Sequence, residues 1–352
     1  MLFSIISGLG LIIQLASSQN SAGTGAINPF WQGLFVLACI GVVYFIGKVN
    51  IHFWLASAGI MYWGALISLI MVELLGTTIY GGKRWINYFG FSIQPAELFK
   101  IAYIIAIARY FYLQFMQSKK GPWVIFKTFL WLSPALYLIY EKQSDLGTTL
   151  SVIAVWIVAL IISNLKTRWL IIFLSLVVLF SPVFWNNLEP YQKRRIEVFI
   201  NPNLDKLNTG YNVNQAKIAI AGGKLFGQGL QSGTQSQLNF LPSQHTDFIF
   251  AVLVEKLGLI GCLFLLILYY FTLKTILDVA KLAQNNFFAC SFCLLFGALL
   301  MFHIVENIGM NLGLLPVAGI PLPLISLGGS NMLAVAWGTG IISAIYQKYR
   351  FA

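Results

Sequence analysis

Asp247 lies in the stretch TQSQLNFLPSQHTDFIFAVLVE (Thr234 to Glu255), where a long polar segment turns at once into an apolar run, and His245 stands two residues before it. A carboxylate at a water–hydrocarbon boundary is costly to keep, and such groups are retained for chemistry or transport. Asp247 could take a proton from a hydroxyl as a general base. It could equally cap the first turn of the following helix, where the dipole favours negative charge. From the residue types alone the two readings stand level.

Glu97 and Lys100 in QPAELFK are three apart and share one helix face, with Pro95 suited to the first turn and Gln94 just before it. An ammonium one turn into an apolar helix needs a partner or a wet cavity. Lys100 therefore makes a structural ion pair, positions Asp247, or binds an anion. Lys83, Arg84 and Trp85 follow a Gly-Gly pair; they suit either an interfacial collar or bidentate anion binding. Asp145 precedes Leu-Gly-Thr and reads first as a helix cap, then as a substrate contact. Gln235, in TQSQ, is a supporting polar candidate. His245 reads as a hydrogen-bonding group ahead of a proton shuttle, since one His and one Asp make a thin metal site. His303 and Glu306, three apart in an apolar run, are expected to pair internally or to face a cavity.

Composition limits where these residues can sit. Of 352 residues, 58% are hydrophobic and 9% charged, and mean hydropathy is +0.79. A soluble domain carries roughly 25% charged residues, so the chain is expected to be an all-α polytopic membrane protein. Counting apolar runs of about 20 residues gives ten spans, at about 1–18, 30–47, 51–73, 96–115, 123–140, 147–164, 168–186, 247–273, 286–312 and 324–347. They form one integral membrane domain spanning 1–352, with a large loop at 187–246, between spans 7 and 8, carrying short interfacial helices. The net charge of +11 has no basic soluble module behind it, so nucleic acid is not an expected partner. Lys48, Arg109, Lys119, Lys120, Lys166, Arg168, Lys274, Lys281, Lys348 and Arg350 fall on one side of the alternating short loops. That bias puts both termini in the cytoplasm and both long loops, with Asp247, outside. Cys39, Cys262, Cys290 and Cys293 all lie in apolar runs and read as buried thiols. Gly222, Gly223, Gly227 and Gly229 lack the order of a phosphate-binding loop and read as turns.

Four segments carry a family resemblance: GGKRWINYFGFSIQPAELFK (81–100), QSDLGTT (143–149), the block from GYNVNQAKIAIAGGKLFGQG through GTQSQLNFLPSQHTDFIFAVLVEKLGLIG (210–261), and NIGMNLGLLPVAGIPLPLISLGGS (307–330). With the span order, they make the chain resemble the SEDS proteins (shape, elongation, division and sporulation) over nearly its whole length. TQSQ before FLP matches the elongation branch better than the division branch.

The resemblance implies a peptidoglycan glycosyltransferase of the bacterial cytoplasmic membrane. It would polymerise lipid II, an undecaprenyl-diphosphate-linked disaccharide-peptide, into a nascent glycan strand. It also implies a class B penicillin-binding protein as cross-linking partner, other elongation-complex proteins, and contact with membrane lipid. By resemblance the essential aspartate is Asp247, with Glu97 and Lys100 in support. Diphosphate leaves readily, so the reaction needs a base for the attacking hydroxyl and cations for the departing charge. One carboxylate suffices if the anomeric centre inverts. No resident cofactor is assigned. A divalent cation, magnesium or manganese, would aid the leaving group, with Asp247 its one named ligand. The broken stretch from Leu315 to Asn331, with Pro316, Pro321 and Pro323, would wall the substrate groove, because irregular backbone at membrane depth must line a cavity or lie within protein. The rivals are a lipid II flippase or transporter and a non-catalytic scaffold.

Overall fold

The computed structural model describes residues 1–18, 29–79, 82–88, 91–116, 123–163, 165–186, 188, 190–201, 209–238 and 240–350. A helix stands at each of the ten apolar runs: α1 (Leu2–Ser18), α2 (Pro29–Gly47), α3 (Ile51–Leu75), α4 (Pro95–Met116), α5 (Trp123–Tyr137), α6 (Leu146–Ile162), α7 (Thr167–Asn186), α11 (Ile249–Leu282), α12 (Phe287–Leu312) and α13 (Gly329–Tyr349). The loop after α7 carries α8 (Pro190–Ile200), α9 (Thr209–Gly223) and the single turn α10 (Thr234–Gln237). Among the described residues, five helices are long and apolar enough to cross a membrane by length and composition. The chain is a multi-pass membrane protein.

Local chemistry sets the ends. Asn50 caps α3 by accepting from the His52 N–H at 3.0 Å. Pro95 opens α4, where its missing N–H costs nothing. α5 ends in a π turn, Leu138–Lys142, and Asp145 then caps α6 by accepting from Thr148 N at 3.1 Å.

Two features depart from a purely helical reading. The segment between α3 and α4 forms a three-stranded antiparallel sheet, β1 (Thr77–Ile79), β2 (Gly82–Tyr88) and β3 (Phe91–Ile93), in the order β1-β2-β3. Trp85 pairs with Thr77, and Ile86 with Ile93. α11 runs 34 residues, longer than the expected span, and breaks at Gly258 (φ 67°, ψ −163°). A residue with a Cβ resists that conformation. The break is mended from outside: Leu259 and Ile260 donate to the carbonyls of Lys224 and Leu225 at 2.9 and 3.2 Å, and Gln228 N donates to Glu255 O at 2.9 Å. The glycine-rich turn after α9 is thus a splint for α11.

The chain forms two compact units. One comprises Met1–Gly41, Glu189–Lys274 and His303–Gly328; the other comprises Val42–Leu188, Thr275–Phe302 and Gly329–Ala352. In the first, the Pro-rich segment after α12 has its backbone carbonyls met by side chains. Asn307 donates to Ile320 O at 2.7 Å, Tyr269 to Pro323 O at 2.6 Å, and Gln14 to Ile325 O at 2.6 Å. An unmet carbonyl in hydrocarbon costs several kcal/mol, so these three donors are what permits irregular backbone there.

Candidate active site

The candidates fall into two groups, one in each unit. The first is built around Asp247. Its backbone precedes α11 in a turn closed on Ser243, whose carbonyl accepts from the N–H groups of Thr246, Asp247 and Phe248 at 3.1–3.3 Å. Three successive carbonyls are then tied down. His245 O accepts from Leu327 N at 2.7 Å, Thr246 O from Ser326 Oγ at 2.6 Å, and Asp247 O from Asn307 and Asn311 at 2.9 and 3.0 Å. The side-chain oxygen of Asn311 accepts from Ala251 N at 3.2 Å. Asn311 therefore serves an early N–H of α11.

Asp247 is half-buried. Gly319, at φ 74°, lies against its carboxylate, where a Cβ would stand 3.5 Å from Oδ2. The left-handed backbone there admits glycine without strain and brings the chain close to the acid. His245, two residues before Asp247, has Ser17 Oγ 3.2 Å from Nδ1 and the Gln244 amide nitrogen 3.5 Å from Nε2. Burial pushes the His245 pKa below its usual value. Gln235 donates its backbone N–H to Glu255 Oε1 at 2.8 Å, and its side-chain oxygen is buried without a hydrogen bond.

Of the two expectations for Glu306, the pairing with His303 is the one not met: both carboxylate oxygens are buried without a hydrogen-bond partner. The charges it senses are those of Asp247 and Arg195, and the backbone donor it faces is Ala318 N–H. Sharing a helix face with His303 did not decide the matter, because Glu306 is directed to the segment that also passes Asp247.

The second group is a polar network around α4. Lys100 Nζ meets Glu97 Oε1 at 2.8 Å, with both residues 3% exposed, and Asn331 donates to Glu97 Oε2 at 2.8 Å. Gln94 donates to Asp145 Oδ2 at 2.9 Å, and its backbone N–H to Ser330 Oγ at 2.8 Å. Asp145 also accepts from Thr148 Oγ1 at 2.9 Å. Arg84 donates to the carbonyls of Gln143 and Ser144 at 2.8 and 2.5 Å, and Lys83 to Glu73 O at 3.3 Å. Arg84 thus pins the turn that holds Asp145, where Ser144 adopts a positive φ of 51°.

The sequence reading passed over Asn307, Asn311, Ser326, Asn331, Glu255 and Lys256. The signal was present for some. Two asparagines four apart, and an adjacent Glu-Lys, are costly inside apolar runs. For a metal the donor set falls short: among the described residues no group of three or more His, Cys, Asp or Glu side chains is placed to hold an ion. Asp247 with its neighbours does not by itself form a cation cage.

Comparison with known proteins is consistent across sequence and fold. The family model for the FtsW, RodA and SpoVE cell cycle proteins matches residues 1–350. The peptidoglycan glycosyltransferase MrdB of Escherichia coli K12 is 38% identical over 296 residues, covering 81% of this chain and 76% of the relative. A probable peptidoglycan glycosyltransferase FtsW of Tolumonas auensis is 32% identical over 349 residues, covering 97% and 89%. Among solved structures, a chain from a peptidoglycan synthase complex that coordinates polymerization and crosslinking superposes with a TM-score of 0.82 at 26% identity, covering 99% of this chain and 96% of that one. Thermus thermophilus RodA shares the fold at a TM-score of 0.70 and 23% identity, covering 99% and 95%. With a family match over nearly its full length, and a relative at 38% identity over four-fifths of it, the chain belongs to the SEDS family of FtsW, RodA and SpoVE cell cycle proteins.

Proposed function

We propose that this peptidoglycan glycosyltransferase polymerises lipid II with inversion at the anomeric carbon and with Asp247 as general base. Asp247 takes the proton from the attacking sugar hydroxyl. The new bond forms between that oxygen and the anomeric carbon. The bond from the anomeric carbon to the diphosphate breaks, and its electron pair leaves with undecaprenyl diphosphate. The observation that carries this reading is the anchoring of the Asp247 backbone by Asn307 and Asn311. It holds the backbone that carries the carboxylate, and base catalysis depends on such positioning.

In the other unit, the Glu97–Lys100–Asn331 network and the Gln94–Asp145–Arg84 network shape the ends of α4 and α6. We infer that both termini are cytoplasmic, from the basic short loops, and that Asp247 acts at the outer face of the cytoplasmic membrane. A class B penicillin-binding protein is the proposed partner, since a structural relative belongs to a complex that couples polymerization with crosslinking. Any divalent cation is proposed to ride on the diphosphate. Loss of turnover in EDTA, restored by magnesium or manganese, supports that; unchanged turnover removes it.

The test is polymerisation of purified lipid II by Asp247→Asn and Asp247→Glu. Asp247→Asn is expected to bind lipid II and make no polymer. Full polymer output from it would favour the flippase or scaffold readings instead.

A further inference from the structure

Three parts of the chain meet at one end of the unit that holds α3, α4 and α13. A tight turn joins α2 to α3, and the last turns of α13 pack against it. Lys348 Nζ stands 3.2 Å from His52 Nε2, and a Cβ on Gly47 would stand 3.0 Å from Ser343 Oγ. α4 closes the third side, where Arg109 donates to Ala56 O at 3.2 Å. His52, Ala56 and Gly59 share one face of α3, at the i, i+4 and i+7 positions. Arg109 lies against Ala56 and Gly59, so it sits roughly 6–10 Å beyond His52 along the helix axis.

Charge on this surface has one sign. Lys48 lies over the Tyr44 ring at 4.1 Å, Lys348 over Tyr349 at 5.7 Å and Arg350 over Tyr346 at 5.6 Å. None of the chain's 11 Asp and Glu residues falls in 42–72, 98–140 or 307–352, the stretches that carry these groups. Among the described residues, no carboxylate reaches ion-pair distance of Lys48, Arg109 or Lys348. The positive end of the α3 dipole points the same way. Like charges gathered in this manner repel one another unless an anion from outside sits among them.

Depth decides what kind of anion fits. Tyrosines beside lysine and arginine are the usual composition of the membrane–water boundary. Phe45, Phe53 and Ile60 around the patch are exposed, as lipid-facing side chains are. Arg109 stands 14 residues from Pro95 at the other end of α4. That is about 21 Å of helix, less than the roughly 30 Å of hydrocarbon that a spanning helix crosses. A water-soluble acidic partner reaches Lys48 and Lys348 but not a guanidinium below the boundary. A phospholipid reaches all three.

We propose that this surface binds an anionic phospholipid, with Lys48, Lys348 and Arg109 on its headgroup and Phe53 and Ile60 against its acyl chains. On the orientation proposed above the site faces the cytoplasm, and it does not depend on the reaction assigned to Asp247.

The experiment titrates the purified full-length protein, in neutral detergent, with phosphatidylglycerol, phosphatidylcholine, inorganic phosphate and poly-L-glutamate as separate probes. Bound molecules are counted by native mass spectrometry. Each cation removed should weaken phosphatidylglycerol binding roughly fivefold, so Lys48→Gln with Lys348→Gln should weaken it about 20-fold or more. Both lysines are exposed, and their loss does not threaten folding. Lys274→Gln with Lys281→Gln removes the same charge from α11 and should keep the affinity within about twofold. In the wild type, phosphatidylcholine should bind at least about tenfold more weakly than phosphatidylglycerol. An equal loss in the two double variants overturns the proposal, because the attraction is then diffuse. Equal affinity for phosphatidylcholine overturns it in favour of hydrophobic adhesion alone. Displacement of phosphatidylglycerol by inorganic phosphate, or tighter binding of poly-L-glutamate than of the lipid, overturns it in favour of a free-anion site or an acidic protein partner.

Discussion

Asn307 donates a hydrogen bond to the main-chain oxygen of Asp247 at 2.9 Å and, through the same nitrogen, to Ile320 O at 2.7 Å. One side chain thus ties the turn that carries the acid to the segment that passes its carboxylate. Asn307→Ala should lower kcat roughly 10- to 100-fold, with KM for lipid II changed little, because a small displacement of a catalytic group is felt mainly in the transition state. Asn307→Asp should behave like alanine, since an ionised carboxylate has no N–H to donate. Wild-type kcat in either variant would remove Asn307 from the positioning role.

The Glu97–Lys100 pair separates a structural role from a binding one. Removing one partner leaves a buried charge uncompensated, at a cost of about 3–5 kcal/mol, whereas removing both together costs much less. Glu97→Gln and Lys100→Met should each unfold at markedly lower temperature in detergent, and the double variant should recover most of that loss. If the pair only braces α4, the double variant also recovers polymerisation. If Lys100 contacts substrate, stability returns without activity.

Glu255 is fully buried and accepts from the backbone N–H groups of Gln235 and Ser236 at 2.8 and 3.0 Å. Its neighbour Lys256 donates to Leu230 O at 2.7 Å and Ala16 O at 3.2 Å. Together they clamp the loop around α10 to the start of α11. Charge-assisted hydrogen bonds are worth about 1.5–3 kcal/mol each, so Glu255→Ala should destabilise by roughly 3–5 kcal/mol. Limited proteolysis should then cut near residues 230–238 first. A cleavage pattern identical to wild type would show that the loop is held by something else.

These residues mark where sequence reading reached its limit. Hydropathy places all ten long helices, because a lipid-facing helix must be apolar over its length whatever its neighbours are. The proposed general base was legible for a related reason: Asp247 interrupts such a run at its edge. The supports were not, since an asparagine reveals nothing about which distant carbonyl it will serve until the chain is folded. The sheet escaped because two of its strands are three residues long, too short for a period-2 signal. The break in α11 escaped because Gly258 reads like any membrane glycine until Lys224 and Leu225 arrive to accept the freed N–H groups. Glu306 shows the same limit from the other direction: spacing gave its helix face, and tertiary packing chose its neighbour.

His245 is expected to make the unit around Asp247 sensitive to acid. Its ring lies between Ser17 and Gln244, and burial holds its pKa below the usual value near 6.5. An amide N–H directed at Nε2 requires that nitrogen to be bare, which a protonated ring cannot supply. In the unfolded chain the imidazole protonates near pH 6.5, while in the folded protein it resists until lower pH. The unfolded state therefore binds more protons in the interval between, and stability there rises with pH. The contribution is complete above about pH 6.5 and is lost as pH falls toward the depressed folded value. Thermal unfolding of the detergent-solubilised protein should fall between pH 7 and pH 5, and His245→Gln, which keeps hydrogen-bonding capacity without titrating, should flatten that part of the profile. An unchanged slope in His245→Gln would assign the acid sensitivity to other groups.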